Sequence, residues 1–498
     1  DSSLTDDPTR TSYITVQSGM RLGKLYGSII SLEQEQNTEK SYLLGAGTCP
    51  TVGVTGHVLC GGYGYLGREL GLTSDQVLGF EVVTPTGDVI EVNDNVNPDL
   101  FWALRGSCSS SFGIVSTITF KLAINPDGNK LTTIIIPPIS NTNDMKRAVR
   151  FFQEYSYLNA PNKLTMTLFF WQNGWLNLHG VYIGSRESAL DATLDDISLG
   201  LSSIYSKDNI RNYYQERTFL STLAWWGYMS SSTTVEDLLS INSLPSIYQR
   251  TYRRKSKSIL IDRVIDDSAV DYIIQLFNEQ KLDQFQFKAY GGRLHPVNVE
   301  IDPDTGDSVY TSYTYPLSPL LRGHGFELHF GNAYSMGYNP SRSSVIAKDE
   351  ALVTEINDIG RTLQSVFGMS SYAYVGYIDL DVDSSSSSAG ALYFGQTNFL
   401  QLESLRKSFD PENILASQAS NYLYVASTSE PSFSPTKSPT SFPTPPLPTR
   451  TPTILPTWRP STFPTYSPTY TPTTVPTKSP TFFPTPPLPT HTPTILPT

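Results

Sequence analysis

Between Gly45 and Gly71 the chain reads GAGTCPTVGVTGHVLCGGYGYLGRELG, nine glycines in 27 residues, with Cys49, His57 and Cys60 among them. Glycine at this density is kept where φ is positive or where a ligand or another backbone comes close. Successive N–H groups in such turns form concavities for anions, so a phosphate-bearing cofactor suits this stretch. Gly62, Gly64 and Gly67 match the G-x-G-x-x-G dinucleotide fingerprint by letter. That fingerprint needs a full helix after it, and Gly71 interrupts four residues later, so a Rossmann turn is rejected.

A second group of reactive side chains lies far along the chain. Glu327 and His329 alternate in Gly325-Phe-Glu-Leu-His-Phe330, so a strand here puts both on one face, where they can act as a base or tune one. A surface strand would carry the same letters. His324, Glu327 and His329 lack zinc-ligand spacing, and Asp302-Pro-Asp304-Thr-Gly306-Asp307 lacks the closing glutamate of a calcium loop, so no metal site is read. The acidic run reads instead as a polar hairpin tip. Asp379, Asp381 and Asp383 alternate as on a solvated strand face. Three cysteines make either one bridge with one reactive thiol or three buried thiols.

The elements that must position these residues are mixed. Residues 15–26 read as a strand, a turn at Gly19 and the start of a helix with Leu22, Leu25, Tyr26 and Ile29 on one face. Residues 80–83 and 89–92 flank Pro85-Thr-Gly-Asp88, a hairpin by its turn chemistry. Asn97 caps a short helix with Pro98 at its first position, and Ile118, Phe120 and Leu122 alternate with polar residues as a half-buried strand. From about 123 to 370, helices with apolar faces such as Val270, Ile273, Ile274 and Phe277, or Leu352, Ile356, Ile359 and Leu363, alternate with strands. A broad sheet backed by helices is predicted there. Residues 384–388 read as a flexible loop and 398–407 as a helix. The non-repeating order predicts an α+β fold and not a doubly wound sheet.

Several motifs in fixed order carry a resemblance. They are Cys49-Pro50-Thr51-Val52-Gly53, Gly56-His57, Gly61-Gly62-Tyr63-Gly64, Gly71-Leu72 and Asp75, then Phe101-Trp-Ala-Leu-Arg-Gly106 and Ser111-Phe-Gly113-Ile114-Val115. Tyr374-Val-Gly-Tyr377-Ile-Asp379, Tyr393-Phe-Gly395 and Asp410-Pro-Glu-Asn413 complete the set. Together they resemble the berberine-bridge-like FAD-linked oxidases, a branch of the PCMH-type flavoproteins, over roughly residues 11–420. The resemblance implies a two-lobed PCMH-type FAD-binding domain with an inserted substrate domain. On it, residues 1–122 are FAD-binding, 123–370 form the substrate domain whose sheet covers the flavin, 371–427 return to the FAD domain, and 428–498 are a disordered tail.

The resemblance also implies that FAD is held by Cys49, Pro50, Thr51, Val52, Gly53, Gly56, His57, Gly61, Gly62, Tyr63, Gly64 and Asp75, by Gly113, Ile114 and Val115, and by Asn398. Cys49 is implied to form a thioether to C6 of the flavin, and His57, between Gly56 and Gly61, reads as a structural residue that turns beside the cofactor. Tyr374 is implied to be the base that takes a proton as hydride leaves for N5, with Glu327, His329 and Tyr377 completing the catalytic set. Tyr377 is one step off in strand parity and is expected on the other side. Cys60 and Cys108 stand where relatives carry glycine and should hold no flavin. Thr55, Gly376 and residues 107–110 also depart from the family pattern, and the run from Gly395 to Asn398 is one residue longer. Relatives carry an earlier lobe with a Gly-Gly-His whose histidine bonds the flavin, and its absence here reads either as an N-terminal truncation, the favoured expectation, or as a loss of that lobe.

The chain has 498 residues and a net charge of −11, and the region after Glu430 holds four basic residues and no acid, so the body is more acidic still. This excludes nucleic acid and anionic membrane as partners, and no run of 18 apolar residues is present to span a bilayer. Beyond Ser427 prolines recur every four residues, and 436–457 returns as 477–498 with two differences. Such a tail buries no core and samples polyproline II. Proline with Ser and Thr reads as a glycosylated stalk of a secreted or wall-attached protein, with association to wall or glycan. The expected function is an FAD-dependent oxidase acting on an alcohol, sugar or phenolic small molecule with O2. The rival is a catalytically degenerate flavin-fold protein serving as a wall-attached binding or structural module.

Overall fold

Alternation of apolar and polar residues builds two large antiparallel sheets, beside two small two-stranded ones. The computed structural model describes residues 2–5 and 12–415, apart from 36–40, 109–110, 126–127, 129, 172–173, 185–187, 207–213, 227–232, 241–251, 262–263, 295–298, 302–307, 311–315, 318–324, 336–341, 368–372, 378 and 380–386. The acidic tip at 302–307, His324, Asp381, Asp383 and the repeat tail lie outside the described residues. By compactness the chain divides into Asp1–Glu430 and Pro431–Thr498, and both sheets and their helices belong to the first unit.

The first sheet orders Ser2–Thr5, Tyr13–Gln17, Ile114–Lys121, Val77–Val83 and Val89–Val92 side by side. Ile14, Val16, Phe80, Val82, Ile118 and Phe120 point into one core, and helix Leu22–Glu35 adds Leu22, Leu25, Tyr26 and Ile29 to it. The predicted hairpin closes through Thr84 N–H to Asp88 O at 2.9 Å, with Gly87 at φ +89°. Residues from Ala373 to Leu402 join this same core.

The second sheet has seven strands in the order Tyr214–Thr218, Lys130–Ile135, Leu176–Ile183, Leu164–Trp171, Gln284–Ala289, Phe326–Ser335 and Tyr252–Ile261. One parity, including Met166, Leu168, Phe285, Phe287, Leu328 and Phe330, shares a core with helices Thr142–Glu154, Ser188–Gly200, Asp267–Asn278 and Arg342–Phe367. Each such side chain contributes about 1.5–3 kcal/mol by leaving water. The opposite parity is polar: Thr167, Lys288 and Glu327 stand in register on three adjacent strands, as do Phe169, Gln286 and His329. The α+β fold and the helix-backed sheet are therefore as the pattern predicts.

Four local readings need correction. Asp379 is not on a solvated face. It is a buried carboxylate clasped by Lys255 and Lys257, which overcome the upward push of burial and hold its pKa below the usual carboxylate range. Of the loop expected at 384–388, residues 384–386 lie outside the described residues and 387–388 begin helix Ser387–Phe394, and the following helix is longer than expected, Gln396–Phe409. Asn97 precedes helix Pro98–Leu104 in a left-handed conformation, and its side chain donates back to Glu91 O at 2.8 Å and makes no cap. Around Tyr374 the chain is not a strand: Val375–Tyr377 is a tight turn of 3-10 helix. No helix among the described residues is long and apolar enough to cross a membrane.

Candidate active site

The glycine-rich stretch divides into packed and open parts. Gly61 and Gly62 have φ of +90° and +78°, and their carbonyls accept from Ser74 N–H and Thr73 N–H at 2.8 and 2.9 Å. A Cβ on Gly64 would lie 2.0 Å from Ala46 O, so only glycine lets these two backbones meet. His57 is structural: its Nε2 accepts from Gly47 N–H at 2.9 Å, and burial lowers its pKa to about 4, keeping it a neutral acceptor. Gly53 and Gly56, by contrast, are exposed, and a Cβ on either would meet nothing within 4 Å.

The cysteines resolve to one bridge and one thiol. Cys60 and Cys108 form a disulfide that ties this stretch to the turn after helix Pro98–Leu104, and Cys108 N–H donates to Leu59 O at 2.7 Å. Cys49 is free and exposed, beside the open glycines. Partial burial pushes its thiol pKa up, while the Lys288 charge works against that rise.

Lys288 is the centre of a buried polar cluster. Its ammonium reaches both oxygens of Glu327 at 3.3 and 3.4 Å and donates to Tyr377 Oη at 3.1 Å. Lys288 is 5% exposed and Glu327 fully buried, and Tyr290 Oη donates to the same carboxylate. Burial alone would discharge Lys288, yet Glu327 and the Tyr377 phenol outweigh it and hold its pKa above the ordinary value. The Lys288 ammonium also sits 4.6 Å from the ring centre of Tyr377 and 5.8 Å from that of Tyr63. His329 stacks on Tyr377 at 4.1 Å with the rings 3° from parallel. Both His329 nitrogens lack a hydrogen-bond partner among the described residues, and burial, then Lys288, drives its pKa well down.

The two motif tyrosines are not on opposite sides. The 3-10 turn brings their rings to 5.4 Å, edge to face. Tyr374 Oη accepts from Gly62 N–H at 3.1 Å and is driven far above the ordinary phenol range by burial. Tyr377 is raised by burial as well, but Lys288 opposes the rise.

The structure therefore brings Cys49, Tyr63, Glu327, His329, Tyr374 and Tyr377 to one place. Several other expected cofactor contacts serve the backbone. Asp75 accepts from Leu72 N–H at 2.8 Å, Gly113 packs on Val82 with φ +125°, and Val115 lies in the core. Asn398 Nδ2 donates to Leu317 O at 3.1 Å. Pro50 O and Val52 O bind the start of helix Leu22–Glu35, Thr51 is half-buried, and Ile114 is exposed. Lys288 and Tyr290 were not singled out from sequence. The Gln-x-Gln-x-Lys alternation at 284–288 marks a polar strand face, but only sheet register sets it against Glu327.

An exposed thiol with open glycine backbone beside it is a lining that admits a flavin ring, so the residues fit FAD. Residues 3–93 match the FAD binding domain family, and 373–420 match the family described as berberine and berberine like. The chain is 26% identical to berberine bridge enzyme-like 11 of Arabidopsis thaliana over 418 residues, 81% of this chain and 72% of that protein. It is also 26% identical to a carbohydrate oxidase of Microdochium nivale over 412 residues, 81% of this chain and 73% of the other. In fold it is similar to the solved structure of Physcomitrella patens BBE-like 1, with TM-score 0.65 and 22% identity, covering 84% of this chain and 79% of that one. The chain is an FAD-linked oxidoreductase that carries an FAD binding domain and a berberine and berberine like domain, and it is similar to the berberine-bridge-enzyme-like proteins.

Proposed function

We propose that this protein oxidises an alcohol, sugar or phenolic hydroxyl compound with Tyr377 as general base. The observation that carries this reading is the buried 3.1 Å hydrogen bond from Lys288 to Tyr377 Oη beside Glu327. An ammonium at that distance stabilises the phenolate that takes the substrate's proton, and Glu327 keeps the ammonium charged. Tyr374, with its oxygen bound to Gly62 N–H and its ring against Tyr377, positions the base. His329 stacks on the phenol and keeps water from its face.

When bound, FAD supplies acceptance of hydride at N5, with O2 as final acceptor. The residues that would hold it are Cys49, through a thioether to C6, and the open backbone of Gly53 and Gly56. Similarity to a carbohydrate oxidase over most of the chain supports a sugar as substrate. The ion-paired cluster speaks against a catalytically degenerate module, which has no need of a buried Lys288–Glu327 pair. The proline-rich tail supports secretion or attachment to a wall.

Full-length protein supplied with FAD should be yellow and should bleach when mixed anaerobically with a sugar substrate. Acid precipitation should leave the colour in the pellet for the parent chain and for Cys60→Ala, and release it for Cys49→Ala. Protein that takes up no flavin would favour the binding-module reading.

A further inference from the structure

Tyr377 borders a second space besides the Lys288 cluster. A cavity of about 160 Å³ rounds strand Tyr252–Ile261, the edge of the seven-stranded sheet. Lys257, Arg361 and Gln364 line it on the helix side, Ser258 and Tyr377 on the other. Strand parity lets one cavity reach both faces. Lys257 lies against Gly360 of helix Arg342–Phe367, while Ser258, next along, accepts from Tyr374 N–H at 2.9 Å. Asp379 lines the same space. Its two oxygens accept from Lys255, at 2.5 Å, and from Lys257, and its N–H donates to Tyr393 Oη at 2.9 Å. Arg361, its side chain 72% exposed, brings the cavity to the surface.

A phenol that serves as base must give up its own proton before it takes another. The neighbours of Tyr377 on the sheet side are poor receivers. Lys288 is held charged, and the Glu327 carboxylate already accepts from Lys288 and from Tyr290. His329 lies flat on the phenol ring, and burial makes it a weak acceptor. The cavity is different: it has polar walls and room for several water molecules. The Asp379 carboxylate attracts a hydrated proton, and its two lysines keep its pKa too low to hold one.

We propose that water in this cavity carries the Tyr377 proton to solvent and that Asp379 steers it. The O–H bond of Tyr377 breaks, its proton passes to a cavity water, and a proton leaves at the surface near Arg361. The phenolate then takes the substrate's hydroxyl proton as hydride leaves carbon, so each substrate oxidised releases one proton. Reduction of O2 to H2O2 takes one proton back, and a full aerobic turnover releases none. Asp379 acts through water and touches no substrate, so it is a positioning residue. The proposal rests on the reading of Tyr377 as the base and adds where its proton goes.

The test mixes flavin-loaded, full-length protein anaerobically with glucose or cellobiose and follows flavin absorbance together with a pH-indicator dye. The parent should release one proton per flavin reduced. Asp379→Asn, which keeps the side chain's shape and removes its charge, should slow both signals about ten-fold or more. Imidazole, a small proton carrier, should restore much of that rate, whereas sodium chloride at equal ionic strength should not; a structural defect would not tell the two apart. Gln364→Phe narrows the cavity and leaves the Asp379 clasp intact, so it serves if Asp379→Asn misfolds, and it should slow proton release to a similar degree. Where neither sugar reduces the flavin, a jump from pH 7 to about pH 10 ionises Tyr377 without substrate. The ultraviolet signal that Tyr377→Phe lacks should then rise about ten-fold more slowly in Asp379→Asn. Both variants at the parent rate, or a slow Asp379→Asn protein that imidazole does not restore, overturns the proposal. A slow Tyr377→Phe beside Asp379→Asn and Gln364→Phe at the parent rate would leave the base reading standing and this one fallen. Tyr377→Phe at the parent rate would fell the base reading itself.

Discussion

The glycine-rich stretch and the polar face of the seven-stranded sheet meet at Tyr63, Tyr374 and Tyr377, but they are built by different means. The stretch is built largely from local contacts, such as Thr73 N–H to Gly62 O and Gly47 N–H to His57, within about a dozen residues of chain. The sheet cluster is assembled from distant segments, Lys288, Glu327 and Tyr377, which only strand register and one tight turn bring together. A backbone cradle tolerates loss of most single side chains. A buried ion pair does not, because removing one partner strands the other.

Glu327→Leu should therefore show the largest effect on stability, about 3–5 kcal/mol in urea unfolding, with much of it regained when Lys288→Met is added. If the single substitution is neutral, the cluster is not a closed ion pair. Cutting the Cys60–Cys108 bridge, by Cys60→Ser or by reductant, should cost about 2–4 kcal/mol in thermal melts, since it closes a long loop onto the cradle. A bridge that matters little would make the two regions more alike than the contacts suggest.

Acid should weaken the cradle. His57 has an ordinary pKa of 6.5 and a folded value of about 4, so the unfolded chain binds more protons between these limits. The stability this contributes, about 3 kcal/mol, is fully present above pH 6.5 and is lost as pH falls toward 4. Melting temperature followed from pH 7 to pH 4 checks the sign, and His57→Gln should flatten the profile. Smallest is the contrast within the stretch. Gly56→Ala, on an open helix face, should change stability by no more than about 1 kcal/mol, yet weaken FAD uptake measured by flavin fluorescence. Equal FAD affinity would show that the open glycines do not face the cofactor.

How much of the molecule is legible in its sequence depends on the same contrast. Glycine spacing, the Cys49 motif and the Tyr-x-x-Tyr pair are short-range signals, and strand alternation places Glu327 and His329 on one face, where the sheet has them. Lys288 gives no such signal, because a lysine on an amphipathic strand looks like any solvated cation until its neighbour is known. Asp379 misleads for the same reason: its two lysines lie more than a hundred residues earlier. The parity error at Tyr377 comes from reading a tight turn as a strand. Several glycines read as cofactor contacts also admit protein backbone or side chains, as Gly64 does Ala46 and Gly113 does Val82. A lone sequence does not distinguish a ligand from the rest of the chain as the thing that comes close.

The assignment of the base is tested most directly by rapid anaerobic mixing of flavin-loaded protein with a sugar substrate, comparing Tyr377→Phe with Tyr374→Phe. Tyr377→Phe should slow flavin reduction by about 10²–10⁴-fold, the range of a lost general base, while Tyr374→Phe slows it by about ten-fold or less. A larger loss in Tyr374→Phe, or a Tyr377→Phe protein that reduces its flavin at the parent rate, would contradict the assignment.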